Sequence, residues 1–323
     1  MLCGLCAACG QGPGEELPEP TWDIVVQDEP GALLSVWGAS ASDVWVVGAD
    51  SRDGKGPLVF HIQDGDVERL ETGETSGDLW WAFGFAGGPV FMGGTGGTIL
   101  RYEDGGFTRM TTPGTGTVFG IWGSAPDDLW AVGGSSDSGG GFAWRYDGSE
   151  WTDEPTLPAD EAATGALWKV DGTGASDAWL VGSNGLSYHW DGTALVAGDT
   201  GVGSSLFTVS GNADRYVAVG GLVSGIIVEN AGDGWTDVTP DPLPSSLTGV
   251  SLDDAGGGFA VGFFGSVYER LDSGWEPVDP GLGVDENLHA VWVDPDGGVW
   301  AAGGKTVSQP LTDGVLIRRS VSE

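Results

Sequence analysis

The sequence predicts an all-β fold, a seven-bladed β-propeller in which every blade is a four-stranded antiparallel sheet. Two observations lead to this prediction. The chain has 60 glycines, 17 prolines and 16 tryptophans in 323 residues, a composition typical of many short strands joined by tight turns. It also contains an internal repeat with a spacing of 39 to 49 residues, and repeats of this length are characteristic of propeller blades.

The first strand of each predicted blade is an apolar segment with a central Val, Ile or Ala. In the clearest copies a tryptophan and a glycine follow, as in Val36-Trp37-Gly38 and Ile121-Trp122-Gly123. Counting these segments gives seven units, whose central residues are Val36, Ala82, Ile121, Val170, Val209, Val250 and Val291.

The remaining strands of a blade also follow a pattern. The second strand reads Asp-Val-Trp-Val-Val-Gly at 43–48, with relatives at 128–133 and 177–182. The third ends at a pair such as Asp147-Gly148, and the fourth opens with an aromatic residue such as Trp151. Aspartate followed by glycine supplies the positive φ of a tight hairpin. The nearly continuous apolar character of the first two strands indicates burial on both faces, as in blades packed face to face.

The chain termini indicate how the ring closes. Residues 22–26 match the fourth strand of a blade but precede the first blade, whereas the last unit ends at its third strand, near residues 315–319. We therefore expect the N-terminal strand to complete the seventh blade, which removes the exposed sheet edges of an open array.

These segments resemble the propeller families with recurring V-W-G and D-V-W-A-V-G motifs that are common among bacterial secreted proteins and lipoproteins. They are more distantly similar to the photosystem-assembly-factor and sialidase-like propellers. The resemblance covers residues 21–319 and implies an architecture, but it does not imply an activity, because this fold hosts many unrelated functions.

The N-terminus resembles the end of a bacterial lipoprotein signal peptide. Small residues, Ala7 and Ala8, precede Cys9, and a polar tether rich in Pro and Gly follows. We interpret residues 1–9 as a lipoprotein signal remnant, 10–20 as the tether and 21–323 as a single propeller. Acylation of Cys9 would anchor the protein to the cell envelope, in the periplasm or on the cell surface. The alternative is a disordered cytoplasmic tail. The spacing of Cys3, Cys6 and Cys9 lacks the fourth cysteine of an iron-sulfur run.

The charge excludes several classes of partner. The formal net charge is -35, from 47 acidic and 12 basic residues. Phosphate binding requires clustered Lys and Arg, so this surface should repel nucleic acids and anionic lipid headgroups. We expect a soluble monomer that meets a membrane only through a lipid anchor.

Sequence signatures of catalysis are missing. There is no G-x-S-x-G, H-E-x-x-H or phosphate-loop motif, and His61, His189 and His289 lie far apart in the sequence. We predict a protein that is not an enzyme, with no catalytic residues, no cofactor and no metal site. The Asp-rich turns at 50–54 and 294–297 lack full calcium-loop spacing and are expected to be ordinary turns. The alternative is a polysaccharide-acting hydrolase or lyase that uses acidic residues at the channel mouth.

Two recurring residue types have structural interpretations. Trp45, Trp130, Trp179 and Trp300 occupy one repeat position, which favours packing between blades over carbohydrate stacking. The aspartates two residues before the first three of these tryptophans are expected to accept hydrogen bonds from turn amides.

The loops predict where a partner binds. Loops that join strands two and three of a blade emerge on the same side of the ring as the connections between blades. The long loops of the sequence are expected on this side, and mainly short turns on the other. Long loops on a rigid scaffold commonly carry binding sites. We therefore predict a scaffold that binds an envelope protein or glycan on this face. The alternatives are solvated loops without a ligand and a structural subunit of an envelope assembly. The candidate residues are Asp50, Arg52, Asp53, Lys55, Asp137, Asp160, Glu161, Phe263 and Phe264.

Overall fold

The computed structural model of the protein describes residues 20–134, 140–153, 155, 157–158 and 165–321. These residues form seven four-stranded antiparallel sheets. Consecutive strands pair in each sheet, so the predicted seven-bladed propeller is confirmed. In these residues the helical elements are three short 3₁₀ turns, and no helix is long and apolar enough to cross a membrane.

The first three blades follow the chain in order, and each begins with its innermost strand, beside the central channel. Their strands are β2 (Leu33–Ser40), β3 (Asp43–Asp50), β4 (Pro57–Gln63) and β5 (Asp66–Arg69) in blade 1; β6 (Leu79–Gly84), β7 (Val90–Gly94), β8 (Ile99–Glu103) and β9 (Gly106–Arg109) in blade 2; and β10 (Thr117–Ala125), β11 (Asp128–Gly134), β12 (Gly141–Tyr146) and β13 (Trp151–Thr152) in blade 3.

Blades 4 to 6 repeat this order. Their strands are β14 (Leu167–Gly174), β15 (Asp177–Gly182), β16 (Ser187–Trp190) and β17 (Leu195–Ala197) in blade 4; β18 (Leu206–Gly211), β19 (Tyr216–Gly220), β20 (Ile226–Asn230) and β21 (Trp235–Asp237) in blade 5; and β22 (Leu247–Leu252), β23 (Gly258–Gly262), β24 (Val267–Leu271) and β25 (Gly274–Val278) in blade 6. The 3₁₀ turns, Thr95–Gly97, Ser183–Gly185 and Phe263–Gly265, join the second and third strands of blades 2, 4 and 6.

Blade 7 closes the ring as predicted. It contains β26 (Asn287–Val293), β27 (Val299–Lys305) and β28 (Thr312–Arg319), and its outermost strand is β1 (Trp22–Glu29), which comes from the N-terminus. The first and last strands are antiparallel, with Trp22 opposite Arg319 and Ile24 opposite Ile317. Both edges of the linear array are thereby paired within one sheet.

Every innermost strand contains a β-bulge near its start. The pairing register skips one residue there, for example between Leu33 and Ser35 in blade 1 and between Leu79 and Trp81 in blade 2. A bulge leaves one residue without a partner and changes the direction of its side chain. The skipped residues are Leu34, Trp80, Phe119, Trp168, Phe207, Thr248 and His289.

The V-W-G motif forms a contact between neighbouring blades. A Cβ atom added to Gly84 would lie 2.7 Å from the ring of Trp37 in the preceding blade. One added to Gly38 would lie 2.5 Å from the ring of Trp292, which precedes it around the closed ring. The tryptophan of one blade therefore packs directly on the glycine of the next, and only a residue without a side chain leaves room for it.

Three blades replace this contact with a hydrogen bond. The residues at the tryptophan position are Asp171, Ser210 and Ser251, and each accepts a hydrogen bond from a backbone N–H of the following blade. The distances are 2.7 Å from Gly211, 3.1 Å from Leu252 and 3.1 Å from Val293. In the blades that follow the two serines, Leu252 and Val293 replace the glycine of the motif. They fit there because a hydroxyl group leaves free the space that an indole would fill.

The blade contact can be tested with Gly84→Ala. The added methyl group collides with Trp37, so we expect a loss of about 1–3 kcal/mol in the free energy of unfolding, measured by chemical denaturation. The loss should shrink in a Trp37→Leu background, because the two residues are in contact.

Gly106→Ala is the matched control. No atom lies within 4 Å of an added Cβ at Gly106, so its effect should stay within about 0.5 kcal/mol. Equal losses for the two alanine variants would contradict the proposed contact.

Candidate functional site

The two faces of the ring differ in the length of their loops. The strand order places the loops between second and third strands on the same side as the connections between blades, and we call this side the loop-rich face. Its segments include 51–56, 70–78, 198–205 and 238–246. The opposite side, which we call the short-turn face, joins strands through segments as short as two residues. The loop-rich face therefore offers more backbone and side-chain surface to a partner.

Four of the predicted binding residues lie at the end of β3 and in the loop that follows it in blade 1, and two of them form ion pairs with residues outside this loop. Asp53 binds Arg69 at 2.8 Å, and Lys55 binds Glu71 at 2.7 Å. Hydrogen bonding by Arg69 holds the pKa of Asp53 well below its usual range. These contacts stabilise the shape of the loop.

The other two residues of this loop link it to its surroundings. The carboxylate of Asp50 accepts a hydrogen bond from the backbone N–H of Arg52 at 2.8 Å. The guanidinium of Arg52 reaches Gln309 of blade 7 at 3.5 Å. The predicted residues Cys9, Asp137, Asp160 and Glu161 lie outside the described residues.

The predicted pair Phe263 and Phe264 forms part of the 3₁₀ turn of blade 6. The rings are perpendicular, with centroids 6.3 Å apart, and the side chain of Phe264 is exposed. Phe264 has a φ of 60°, whereas the same turn position is occupied by Gly96 in blade 2 and Asn184 in blade 4. Glycine and asparagine tolerate this left-handed conformation, and a bulky residue there is an outlier.

Exposed apolar side chains concentrate on one part of the loop-rich face. Five large apolar residues are between 64% and 88% exposed, while the other large apolar residues classed as exposed in the described chain reach at most 51%. All five belong to loops of blades 5, 6 and 7. We call them the apolar crescent; they are Leu222, Val223, Leu243, Phe264 and Val307.

A groove lies beside Phe264 at the junction of blades 6 and 7. Its volume is about 310 Å³, and its apolar lining includes Val278, Leu282 and Val284. Asp279 and Asp285 add carboxylates to it. The groove can therefore hold an apolar group, and its acidic residues favour a basic neighbour to that group.

The bulged residues form an aromatic cluster at the loop-rich end of the central channel. The ring centroids of Trp80 and Phe119 are 5.5 Å apart, those of Phe119 and Trp168 are 4.8 Å apart, and those of Trp168 and Phe207 are 6.1 Å apart. His289 lies 5.8 Å from Trp80. We call these five residues the aromatic plug. One sequence signal points to this cluster: in four blades the second residue of the innermost strand's apolar segment is aromatic. The bulge that turns these side chains inward has no sequence signature.

Lys169 is buried next to the aromatic plug. Its Nζ donates a hydrogen bond to the carbonyl oxygen of Phe119 at 2.7 Å and lies 4.3 Å from the ring centroid of Trp81. Burial lowers the pKa of Lys169 to about 7. Burial, together with the charge of Lys169, lowers the pKa of His289 to about 4.

On the short-turn face, two of the histidines that lie far apart in the sequence each pair with an aspartate of the same blade. His61 binds Asp43 at 2.7 Å, and His189 binds Asp177 at 2.7 Å. In blade 3, Arg145 bonds in the same way to Asp128, the corresponding aspartate, at 2.7 Å. The expectation that these aspartates bind turn amides is therefore wrong, because they bind side chains of the third strand. The pairs hold the second and third strands together.

The described residues contain no group of three or more His, Cys, Asp or Glu side chains arranged to hold a metal ion. Carboxylates of the two Asp-rich turns bond to their own loops. Asp294 accepts hydrogen bonds from the N–H groups of Asp296 and Gly298, as Asp50 does from Arg52. These turns use their aspartates to fix backbone conformation.

The burial of Lys169 predicts a pH-dependent stability. Folding lowers its pKa from 10.5 to about 7, so the unfolded chain binds the proton more tightly than the folded protein does. The wild type should therefore gain stability relative to Lys169→Met as the pH rises from 7 to 9, by up to ~1.4 kcal/mol per pH unit. Denaturant unfolding at several pH values measures this difference. The exposed lysine variant Lys55→Met is the control, and an identical slope for both variants would contradict the assignment to Lys169.

Comparison with known proteins gives the architecture only. No family model and no curated protein sequence matches the chain. The propeller YCF48 from Cyanidioschyzon merolae is 16% identical, with a TM-score of 0.68 over 93% of this chain and 98% of that one. YCF48 bound to D1 peptide is 13% identical, with a TM-score of 0.68 over 94% of this chain and 98% of that one.

An enzyme shares the same architecture. Virginiamycin B lyase from Staphylococcus aureus is 13% identical, with a TM-score of 0.70 over 94% of this chain and all of that one (100%). The expected distant similarity to photosystem assembly factors is thus confirmed at the level of the fold. Because a binding protein and a lyase resemble the chain equally, these similarities establish a propeller and leave its activity to be argued from its own residues.

Proposed function

We propose that the protein is a non-catalytic binding propeller that holds a segment of a protein partner on its loop-rich face. The contact surface in this proposal is the apolar crescent together with the groove beside Phe264. The observation that carries the proposal is the exposed Phe264 in a backbone conformation that suits glycine or asparagine.

Phe264 adopts a strained backbone conformation, and its side chain gains little burial in return, because the residue is 74% exposed. A left-handed conformation costs a non-glycine residue about 1–2 kcal/mol. The same turn is made by Gly96 and Asn184 in other blades, so the fold does not need a phenylalanine here. Strained residues that persist at exposed positions are typical of functional sites, and aromatic side chains are typical anchors of protein interfaces.

The chemistry of the surface favours a particular partner. Aliphatic and aromatic groups in the apolar crescent suit apolar side chains, and clustered apolar exposure of this kind marks interaction sites. Asp279 and Asp285 in the groove, and the net charge of -35, favour basic residues beside those anchors. We therefore propose a peptide segment with apolar and basic residues. A glycan is less well matched, because four of the five residues of the apolar crescent are aliphatic and offer a sugar neither a flat ring nor a hydrogen-bonding group.

The comparison structures are compatible with this use of the fold. YCF48 bound to D1 peptide is an example of a similar propeller with a peptide ligand, which supports the proposal by analogy of fold alone.

The non-catalytic part of the proposal is supported by the lining of the central channel. Of the described residues that line its cavity, Asp171 is the one with a carboxylate, whereas hydrolysis of glycosidic bonds commonly uses a pair. Turnover of a polysaccharide that is abolished by Asp171→Asn would contradict this part.

We also propose that the propeller works outside the cytoplasm and is anchored through acylated Cys9. The support is sequence alone: Ala7 and Ala8 precede this cysteine, and a polar tether rich in Pro and Gly follows it. Expression in the native host with the upstream in-frame codons should give a mature N-terminal peptide whose mass includes a diacylglyceryl group on Cys9. An unmodified peptide starting at Met1 would contradict the anchor and leave the proposed binding face unaffected.

The binding proposal predicts opposite effects of Phe264→Asn on stability and on binding. Asparagine should relieve the backbone strain and raise the free energy of unfolding by ~1 kcal/mol. The same change should weaken binding at least tenfold, because the aromatic anchor is lost. The binding assay uses peptides selected from a random library on the wild-type protein, and we expect them to combine apolar residues with Lys or Arg.

Val196→Thr is the matched control, because Val196 is also exposed but lies on the outer strand β17, away from the apolar crescent. It should leave peptide binding unchanged. The proposal is wrong if selected peptides bind Phe264→Asn as tightly as the wild type, or if the library yields no binding peptide.

A further inference from the structure

The central channel contains a cavity at its short-turn end. Its volume is about 220 Å³, and it is lined by the later residues of the seven innermost strands. The aromatic plug lies at the loop-rich end of the same channel. The cavity is therefore distinct from the surface assigned to a protein partner, with which it shares no lining residue.

The wall of this cavity has an aromatic half. Trp292, Trp37, Phe83 and Trp122 occupy the same repeat position in blades 7, 1, 2 and 3, which are neighbours around the closed ring. The centroids of Trp37 and Phe83 are 6.3 Å apart. Four aromatic rings thus contribute to one side of a cavity with the volume of about seven water molecules.

The other half of the wall is polar. Asp171, Ser210 and Ser251 occupy the same repeat position in blades 4, 5 and 6. All three accept a backbone hydrogen bond from the next blade. Since a neutral serine is sufficient for that bond in two blades, the negative charge of Asp171 is not explained by blade packing.

Asp171 lacks a compensating cation. Its Oδ2 accepts a hydrogen bond from the N–H of Gly211 at 2.7 Å, and no ion pair is found for it among the described residues. Burial raises the pKa of Asp171 to about 7. A positively charged ligand in the cavity would favour the ionised carboxylate, and the carboxylate would favour the ligand.

We propose that the channel cavity binds a small organic cation, a quaternary ammonium or protonated amine, between its aromatic wall and the carboxylate of Asp171. Aromatic faces attract cations, most strongly where water is excluded. The negative charge of the whole protein also concentrates cations at its openings. A metal ion fits less well, because the described residues present no set of three metal-ligating side chains, and an anion would be repelled by Asp171.

Choline and its neutral isostere 3,3-dimethylbutan-1-ol form a suitable pair of probes, since they share a shape and differ in charge. Isothermal titration calorimetry with the whole protein should show choline binding at least tenfold more tightly. Equal affinities, or no binding of choline at millimolar concentration, would overturn the proposal.

Asp171→Ser is the main variant, because it reproduces the serine that two other blades carry at this position and so keeps the backbone hydrogen bond. It should weaken choline binding at least tenfold and leave the isostere unchanged. Asp104→Asn is the matched control: Asp104 is exposed at a short turn and has a φ of 51°, which asparagine tolerates. Loss of choline binding in both variants would assign the effect to overall charge and overturn the site.

Phe83→Leu tests the aromatic wall separately. This variant keeps an apolar side chain and removes an aromatic face, so choline should bind several-fold more weakly while the affinity of the isostere stays the same. Near-ultraviolet circular dichroism checks the fold of each variant. Unchanged choline affinity would contradict a role for the aromatic wall even if Asp171→Ser did not fold.

The pH dependence provides a further readout. Choline affinity should rise between pH 6 and 8, as Asp171 ionises, and proton release on binding should appear as a buffer-dependent heat. Other ionisable side chains nearby are Lys169 on the same strand and Tyr216 on β19, whose pKa is raised in part by the charge of Asp171. Tyr216 in turn bonds to Asp177, which pairs with His189. Lys169 has a pKa of about 7 as well, and its loss of positive charge over the same range also favours a cation. The rise should therefore become clearly smaller in Asp171→Ser, and an unchanged rise there would overturn the assignment to Asp171.

Discussion

The contact between neighbouring innermost strands is the constraint on which the rest of the structure depends. Six of the seven blades present one side chain to the following blade in one of two ways. An indole packs on glycine, as Trp37 does on Gly84, or a polar group accepts a backbone N–H, as Ser251 does from Val293. The closed ring has seven junctions between neighbouring innermost strands, with Phe83 at the corresponding position of blade 2, and the N-terminal strand completes the last sheet. The V-W-G motif thus records an interaction between blades, although its three residues belong to one.

The choice between the two forms of this contact makes the ring asymmetric. The indole form occurs in blades 7, 1 and 3, with Phe83 at this position in blade 2, and the polar form occurs in blades 4 to 6. Because all these residues face the channel, the same substitution that changes the blade contact also gives the cavity one aromatic and one polar side. The loop-rich face is asymmetric too, with paired charges on blade 1 and exposed apolar groups on blades 5 to 7.

Two features reduce stability, and they differ in kind. Lys169 is buried beside aromatic rings with one backbone acceptor, and a buried ammonium is costly because its charge is removed from water. Phe264 is exposed and strained. Natural proteins retain such costs most often at sites of function. The strained Phe264 lies on the proposed binding face, and the buried Lys169 lies next to the aromatic plug of the channel.

The sequence by itself determined the architecture, because a repeat that must pack on copies of itself carries its period, its turn residues and its closing strand in the order of its residues. It also located the long loops and singled out Phe263 and Phe264. Only the tertiary structure decided which residues meet. The bulge in each innermost strand turns Trp80 and Trp168 toward the channel, and strand pairing brings His61 to Asp43, contacts that no local pattern encodes. The positive φ of Phe264 and the placement of Asp171 opposite four aromatic rings depend in the same way on backbone geometry and on contacts between distant parts of the chain.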